Sequence, residues 1–268
     1  MVYVLILIAF IFGTAIGSFL NVIAYRSVHG SSFIFGGSVC PKCKHKLAAV
    51  DLVPIVSFLL LRGRCRYCGK EIPLQYPIVE VATGILFLAA AWKIFGAGSI
   101  SLNINLSISF LFLLFAISVL VVLFVTDLTS GLLPNIITVP AIVVSAGYEF
   151  FLFVNHQISL STLIFTLIAA ATAALLFFAI VYFSGETAMG GGDVKLAFFI
   201  ALAAGWPAVI VGFFLAFLTG GLASAMLLLT GKKRFGDTVA LGPFLSVGAI
   251  IALFWGQAIL GFYLNRFL

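Results

Sequence analysis

The chain has 268 residues, 63% of them hydrophobic and 8% charged, with 29 Phe and a mean hydropathy of +1.30. Soluble proteins carry about 25% charged residues, so this composition excludes a soluble globular domain and a disordered chain, and places most of the length in hydrocarbon. The formal net charge of +6 does not indicate a nucleic-acid partner, because the basic residues are confined to a few polar loops and do not line a helix face.

A helix needs about 20 mostly apolar residues to cross a bilayer. The first such run is 2–24. It has no basic residue ahead of it, is too long for a secretory signal and is followed by Arg26, so it is read as a retained helix. Residues 25–77 follow as the only long hydrophilic stretch. All four cysteines lie there, as CPKC (Cys40, Cys43) and CRYC (Cys65, Cys68), separated by 21 residues. Two CxxC pairs at this spacing can aim four thiolates at one tetrahedral ion, which indicates a structural zinc site. Metal binding would then supply much of the folding energy of a segment poor in apolar side chains. Disulfides and a thioredoxin-like redox motif are the other readings of these cysteines, and a cytoplasmic location disfavours the first. His45, between Lys44 and Lys46, reads as a solvated loop residue.

Further apolar runs occur at 78–95, 108–126, 134–154, 159–183, 194–205, 207–230 and 239–264. The expected fold is an all-α polytopic membrane protein of about eight transmembrane helices with a small cytoplasmic tetracysteine loop. It is organised as a first helix (1–24), a zinc-binding loop domain (25–77) and a seven-helix membrane domain (78–268). Eight of the fourteen basic residues lie between the first two helices, which makes that segment cytoplasmic by the positive-inside rule. The run 194–205 is short and ends at Gly205-Trp206-Pro207. It is kept as a crossing because removing it would turn Lys232, Lys233 and Arg234 to the outer face.

Seven of the eight acidic residues then fall at the cytoplasmic side: Asp51, Glu71, Glu80, Asp127, Glu186, Asp193 and Asp237. Glu149, near the outer end of its helix, is expected to snorkel to the interface. Asp127 ends an apolar run ahead of LTSGLLPN, and Asp193 follows Gly190, Gly191 and Gly192 at the start of the next helix. Each can be an ordinary helix-end residue, Asp193 as a cap. Ionisable groups at membrane depth are nonetheless costly and tend to face a water-filled cavity. If the two carboxylates meet, they share a proton, and the pair can activate water against a peptide carbonyl as aspartic proteases do. The three glycines would let the backbone lie close to an extended substrate.

Six segments carry a resemblance. GSFLNVIAYR (17–26), the double CxxC loop, YPIVE (76–80), TDLTSGLLPN (126–135), MGGGDVK (189–195) and LGPFLSVG (241–248) stand in the order of the bacterial type IV prepilin peptidases, which the chain resembles over nearly its whole length. These are bifunctional leader peptidases and N-methyltransferases of the inner membrane, with a G-x-G-D motif shared in outline with presenilin-type proteases. The resemblance implies that Asp127 and Asp193 are catalytic. It implies prepilins or pseudopilins as substrates, cut after a glycine at the cytoplasmic face, and methylation of the new amino terminus with S-adenosylmethionine. The cysteine loop is associated with that second activity. Lys195 matches the family motif and either tunes the aspartates or, the favoured reading, contacts lipid phosphate. Glu80 either helps bind the methyl donor or braces the loop. A transporter using the carboxylates as a cation or proton relay is the alternative from another class. It would favour acids near the middle of the spans, and none are there.

Overall fold

The computed structural model describes residues 2–30, 37–96, 103–186, 189–232 and 240–267. They form α1 (Val2–Val28), α2 (Val56–Leu60), α3 (Gln75–Phe95), α4 (Ile104–Ser130), α5 (Asn135–Val154), α6 (Leu160–Ser184), α7 (Gly191–Ala204), α8 (Ala208–Leu229) and α9 (Gly242–Phe267). Among the described residues, extended pairing is limited to two isolated bridges, both in the cysteine loop. Seven helices, all but α2 and α7, are long and apolar enough to cross a membrane, and the chain is a multi-pass membrane protein. The eighth expected span, 194–205, forms α7, which has only 14 residues. At about 1.5 Å per residue it is roughly 21 Å long, short of a hydrocarbon core about 30 Å thick. Gly205, at φ +68°, and Pro207 stop it there. Lys233, Arg234 and Asp237 lie outside the described residues.

The helices begin and end where local chemistry dictates. The Ser159 hydroxyl accepts the Thr162 N–H and opens α6, and Gly185, in the left-handed region, closes it. The α4 helix runs one turn past its apolar stretch to Ser130. Its end is set by Gly131, at φ +65°, whose N–H bonds the Asp127 carbonyl. Asp127 is therefore held on a rigid helical turn.

The chain divides into two compact units, Met1–Val122 and Leu123–Leu268. In the first, α1 packs along α3. Gly13 and Gly17, four residues apart on α1, make the close approach possible. A Cβ on Gly17 would lie 2.8 Å from the Glu80 Cα, and one on Gly13 would lie 2.8 Å from the Phe87 Cβ. Small residues at this spacing bring membrane helices together where no hydrophobic force favours helix over lipid. Ile6, Ala9 and Ala91 complete the contact, with Phe95 edge-on to Phe110 at 5.1 Å.

In the second unit the short α7 is the hub, packing against α5, α6, α8 and α9. Leu196, Ala197 and Phe199 through Ala203 are all buried. The α5 helix turns a stripe of Thr138, Ala141, Ser145 and Glu149 inward, and this corrects the expected snorkelling of Glu149. The residue is 5% exposed, and its Oε1 lies 3.1 Å from where a Gly205 Cβ would stand. The helical period, not proximity to the helix end, decides where it points.

Candidate active site and metal centre

The two CxxC segments fold into the same knuckle. In the first, the Lys44 N–H bonds the Cys40 carbonyl, the Cys40 N–H bonds the His45 carbonyl, and the Leu47 N–H bonds the Ser38 carbonyl. In the second, Gly69, Cys65 and Ile72 donate to Cys65, Lys70 and Gly63 at the same three offsets. The residue four beyond the first cysteine is left-handed in both, Lys44 at φ +60° and Gly69 at φ +68°. This geometry turns both thiols of a knuckle to one side. All four cysteines are free, and their Sγ atoms lie within 4.8 Å of one another. The sequence reading that the two CxxC pairs converge on one point is borne out, and the four residues could hold a metal ion. Burial opposes ionisation of Cys40, but the N–H groups of Cys43 and Lys42 and the thiols of Cys43 and Cys65 outweigh it and bring the thiol down to about 7. The thiolate, which is the ligating form, is thus accessible near neutral pH.

Asp51 ties the knuckles together. Its carboxylate accepts the Arg66 Nε–H at 2.7 Å, the Tyr67 hydroxyl at 3.1 Å and the Ala48 N–H at 3.1 Å. Desolvation works against the charge, but these three donors, with Arg66 foremost, hold the carboxyl below the usual range. His45 is an exposed loop residue outside the cysteine cluster, as read from the sequence, and its ring lies on that of Tyr67 with centroids 3.8 Å apart.

Glu80 belongs to the same unit. It is 7% exposed, and its Oε2 accepts the N–H of Ile55 at 2.7 Å. Ile55 is itself held at φ +63°, so the carboxylate pins a turn of the loop onto α3. Of the two roles expected for Glu80, the structure displays the bracing contact.

The second unit brings Asp127 and Asp193 together. Asp127 stands on the last turn of α4 and Asp193 in the first turn of α7; they are 7% and 9% exposed. The charge of Asp127 is felt at Asp193. The Gly242 N–H, at the start of α9, lies beside the Asp127 carboxylate and the Gly190 N–H beside that of Asp193, each favouring the charged form of its neighbour. One oxygen of each, Asp127 Oδ2 and Asp193 Oδ1, is buried with no hydrogen-bond partner among the described residues. Asp193 lies in the first turn of α7, but Gly190 is the N-cap and no side-chain capping bond is made there, so capping does not account for the acid. A buried carboxylate oxygen left unpaired is costly and calls for an explanation.

The glycines before Asp193 divide by role. A Cβ on Gly192 would lie 2.9 Å from the Leu133 Cβ, so its absence lets α7 begin against the Leu133-Pro134 turn. Among the described residues, nothing lies within 4 Å of the Cβ positions of Gly190 and Gly191. The Lys195 Nζ donates to Asn135 Oδ1 at 2.6 Å and links the starts of α5 and α7. Sequence reasoning gave no role to Asn135 or Gly242. Both lay in plain view, in the LLPN and LGPF segments, but nothing in a one-dimensional pattern shows that they reach the acidic residues or Lys195.

The chain matches the bacterial peptidase A24 N-terminal domain over residues 11–94 and the type IV leader peptidase family over residues 113–225. A prepilin leader peptidase/N-methyltransferase of Bacillus subtilis (strain 168) is 33% identical, aligned over 96% of this chain and 97% of its own length. Proteins of the same description from Aeromonas hydrophila and Legionella pneumophila are 30% and 28% identical, each aligned over 97% of this chain and 94% of their own length. No solved structure gives a significant match. With a relative this similar aligned end to end, and with both halves of the family architecture present in order, the chain belongs to the type IV leader peptidase family.

Proposed function

We propose that this protein is a prepilin leader peptidase and N-methyltransferase of the bacterial inner membrane, with Asp127 and Asp193 as its proteolytic pair. Its substrates are type IV prepilins or pseudopilins, whose basic leader is cut after glycine at the cytoplasmic face. The observation that carries the peptidase reading is the meeting of two buried carboxylates, each with one oxygen unpaired.

The chemistry follows from the geometry. Two like charges at close quarters hold one proton between them and titrate as a pair. The ionised member takes a proton from water attacking the scissile carbonyl; the protonated member polarises that carbonyl and then protonates the leaving amine. The Gly242 and Gly190 N–H groups lie beside the carboxylates and favour their charged forms, and Gly190 and Gly191 leave room beside Asp193 for an extended strand. A basic leader stays inside by the same rule that orients the cysteine loop, which brings the bond to be cut to that face.

In the second reaction the freed amino group gives up a proton and takes a methyl group from the sulfonium of S-adenosylmethionine, which departs as the neutral thioether. The four thiols fit zinc, which would fix the loop as a structural ion. The test is incubation of the purified protein with a prepilin and S-adenosylmethionine, followed by intact-mass measurement. Leader loss with gain of one methyl group is expected. Asp127→Asn and Asp193→Asn should each lower cleavage about a thousandfold while the protein stays inserted. Near-full cleavage in either variant removes that residue from the pair.

A further inference from the structure

The first unit contains a cavity of about 240 Å³ that the proteolytic chemistry does not use. Its walls are the facing sides of α1 and α3 and the cysteine loop, including Ser18, Asn21, Tyr25, Tyr76, Glu80 and Cys65. Two of these side chains are buried acceptors with unspent capacity. Asn21 is 2% exposed, and its Nδ2 donates to the Gly17 and Tyr76 carbonyls, both at 3.2 Å. Those two bonds fix which way the amide faces and leave Asn21 Oδ1 buried without a partner among the described residues. Among the described residues, Glu80 accepts one hydrogen bond, from the Ile55 N–H. An ionised carboxylate has room for about four.

The two acceptors belong to one place. Gly17 meets the Glu80 backbone, Asn21 follows Gly17 by one turn of α1, and Tyr76 precedes Glu80 by one turn of α3. The wall therefore combines a negative charge and an aligned amide oxygen with the rings of Tyr25 and Tyr76. Arg26, Lys42, Lys44, Arg66 and Lys70 also line the cavity, yet none of them donates to Asn21 Oδ1; a primary ammonium seated between the two acceptors supplies up to three N–H groups and a charge that aromatic faces also attract.

We propose that Asn21 Oδ1 and the Glu80 carboxylate form a binding site for a primary α-ammonium group, and that this cavity is where methyl transfer takes place. The assignment builds on the proposed methyltransferase activity. Two molecules in that reaction carry the group: the freshly cut pilin, at its amino terminus, and the methyl donor, on its amino-acid end.

The test uses full-length, zinc-loaded protein in detergent micelles and measures binding by calorimetry, with no turnover. One arm compares a peptide beginning with Phe and bearing a free amino terminus with its N-acetylated form. The other compares S-adenosylhomocysteine with its deaminated analogue. The wild type should prefer the free amine about tenfold or more in at least one arm. Glu80→Gln keeps an acceptor for Ile55 and removes only the charge, so it should abolish the preference with zinc content and leader cleavage intact; Asn21→Leu should weaken the same arm. Loss in the peptide arm assigns the site to the pilin, and loss in the other assigns it to the methyl donor. No amine preference in the wild type, or a preference unchanged in both variants, overturns the site. Intact-mass analysis separates this from failure of the parent reading: a wild type that cleaves prepilin but never methylates it refutes the methyltransferase activity itself. Variants that methylate at the wild-type rate refute only the cavity.

Discussion

Lys44 and Gly69 hold the same left-handed position in the two cysteine knuckles, yet only one of them is the residue that conformation favours. A side chain there costs roughly 1–2 kcal/mol, partly offset in any exchange by the greater freedom of glycine when unfolded. Lys44→Gly should therefore stabilise the loop by about 1 kcal/mol, visible as tighter zinc retention in a chelator competition. Gly242 matters through space instead. A Cβ at this residue would stand 2.5 Å from Asp127 Oδ2, so Gly242→Ala must displace either the carboxylate or the start of α9. Misplacing a reacting group by about 1 Å can cost about a hundredfold, and leader cleavage should fall by that factor. Methylation of a peptide already bearing a mature amino terminus should be unchanged in the same preparation.

Pairs of helices are governed by how closely their backbones approach. Along α1 and α3 that approach is set by glycine, and Gly17→Leu would drive a branched side chain into the Glu80 backbone. Overpacking of this kind costs about 1–3 kcal/mol or forces the helices apart. Either outcome loosens the anchorage of Ile55 by Glu80, so a lower melting temperature and faster proteolysis within residues 37–74 are expected. The α7 helix shows the opposite economy. It is too short to be an ordinary span, and its value lies in beginning where Asp193 is needed, with Gly192 admitting it against Leu133 and Lys195 reaching Asn135.

For the molecule as a whole, the two proposed chemistries draw on residues of different units: the cysteine cluster, Asn21 and Glu80 in the first, and Asp127 and Asp193 in the second. A strong chelator would remove the zinc proposed to organise the loop but none of the contacts around the aspartates. Methylation should be lost, while leader cleavage falls by no more than about twofold, since structural zinc stabilises mainly the segment it closes. Equal loss of both activities would show that the loop serves proteolysis as well. Intact-mass measurement of one reaction reports the two together.

Composition alone determined that this chain lives in a membrane, because no other solvent accepts so much apolar surface. Seven of the eight runs read from the sequence became long helices, and the two CxxC pairs became one cluster, since a short fixed spacing dictates knuckle geometry locally. The resemblance carried by six motifs pointed to the family that the comparisons establish. Tertiary structure decided what depends on contact between distant stretches. Asp127 and Asp193 lie 66 positions apart, and no helical period relates them; the start of α7, seated against Leu133 just beyond α4, brings them within electrostatic reach. Glu149 turned inward because its face of α5 was buried by a neighbour that hydropathy cannot name. Asn21 looked like one polar residue in an apolar helix until α3 closed over it and left one oxygen without a partner. Hydropathy is summed along the chain and can be read in one dimension, whereas hydrogen-bond satisfaction depends on what the fold places alongside.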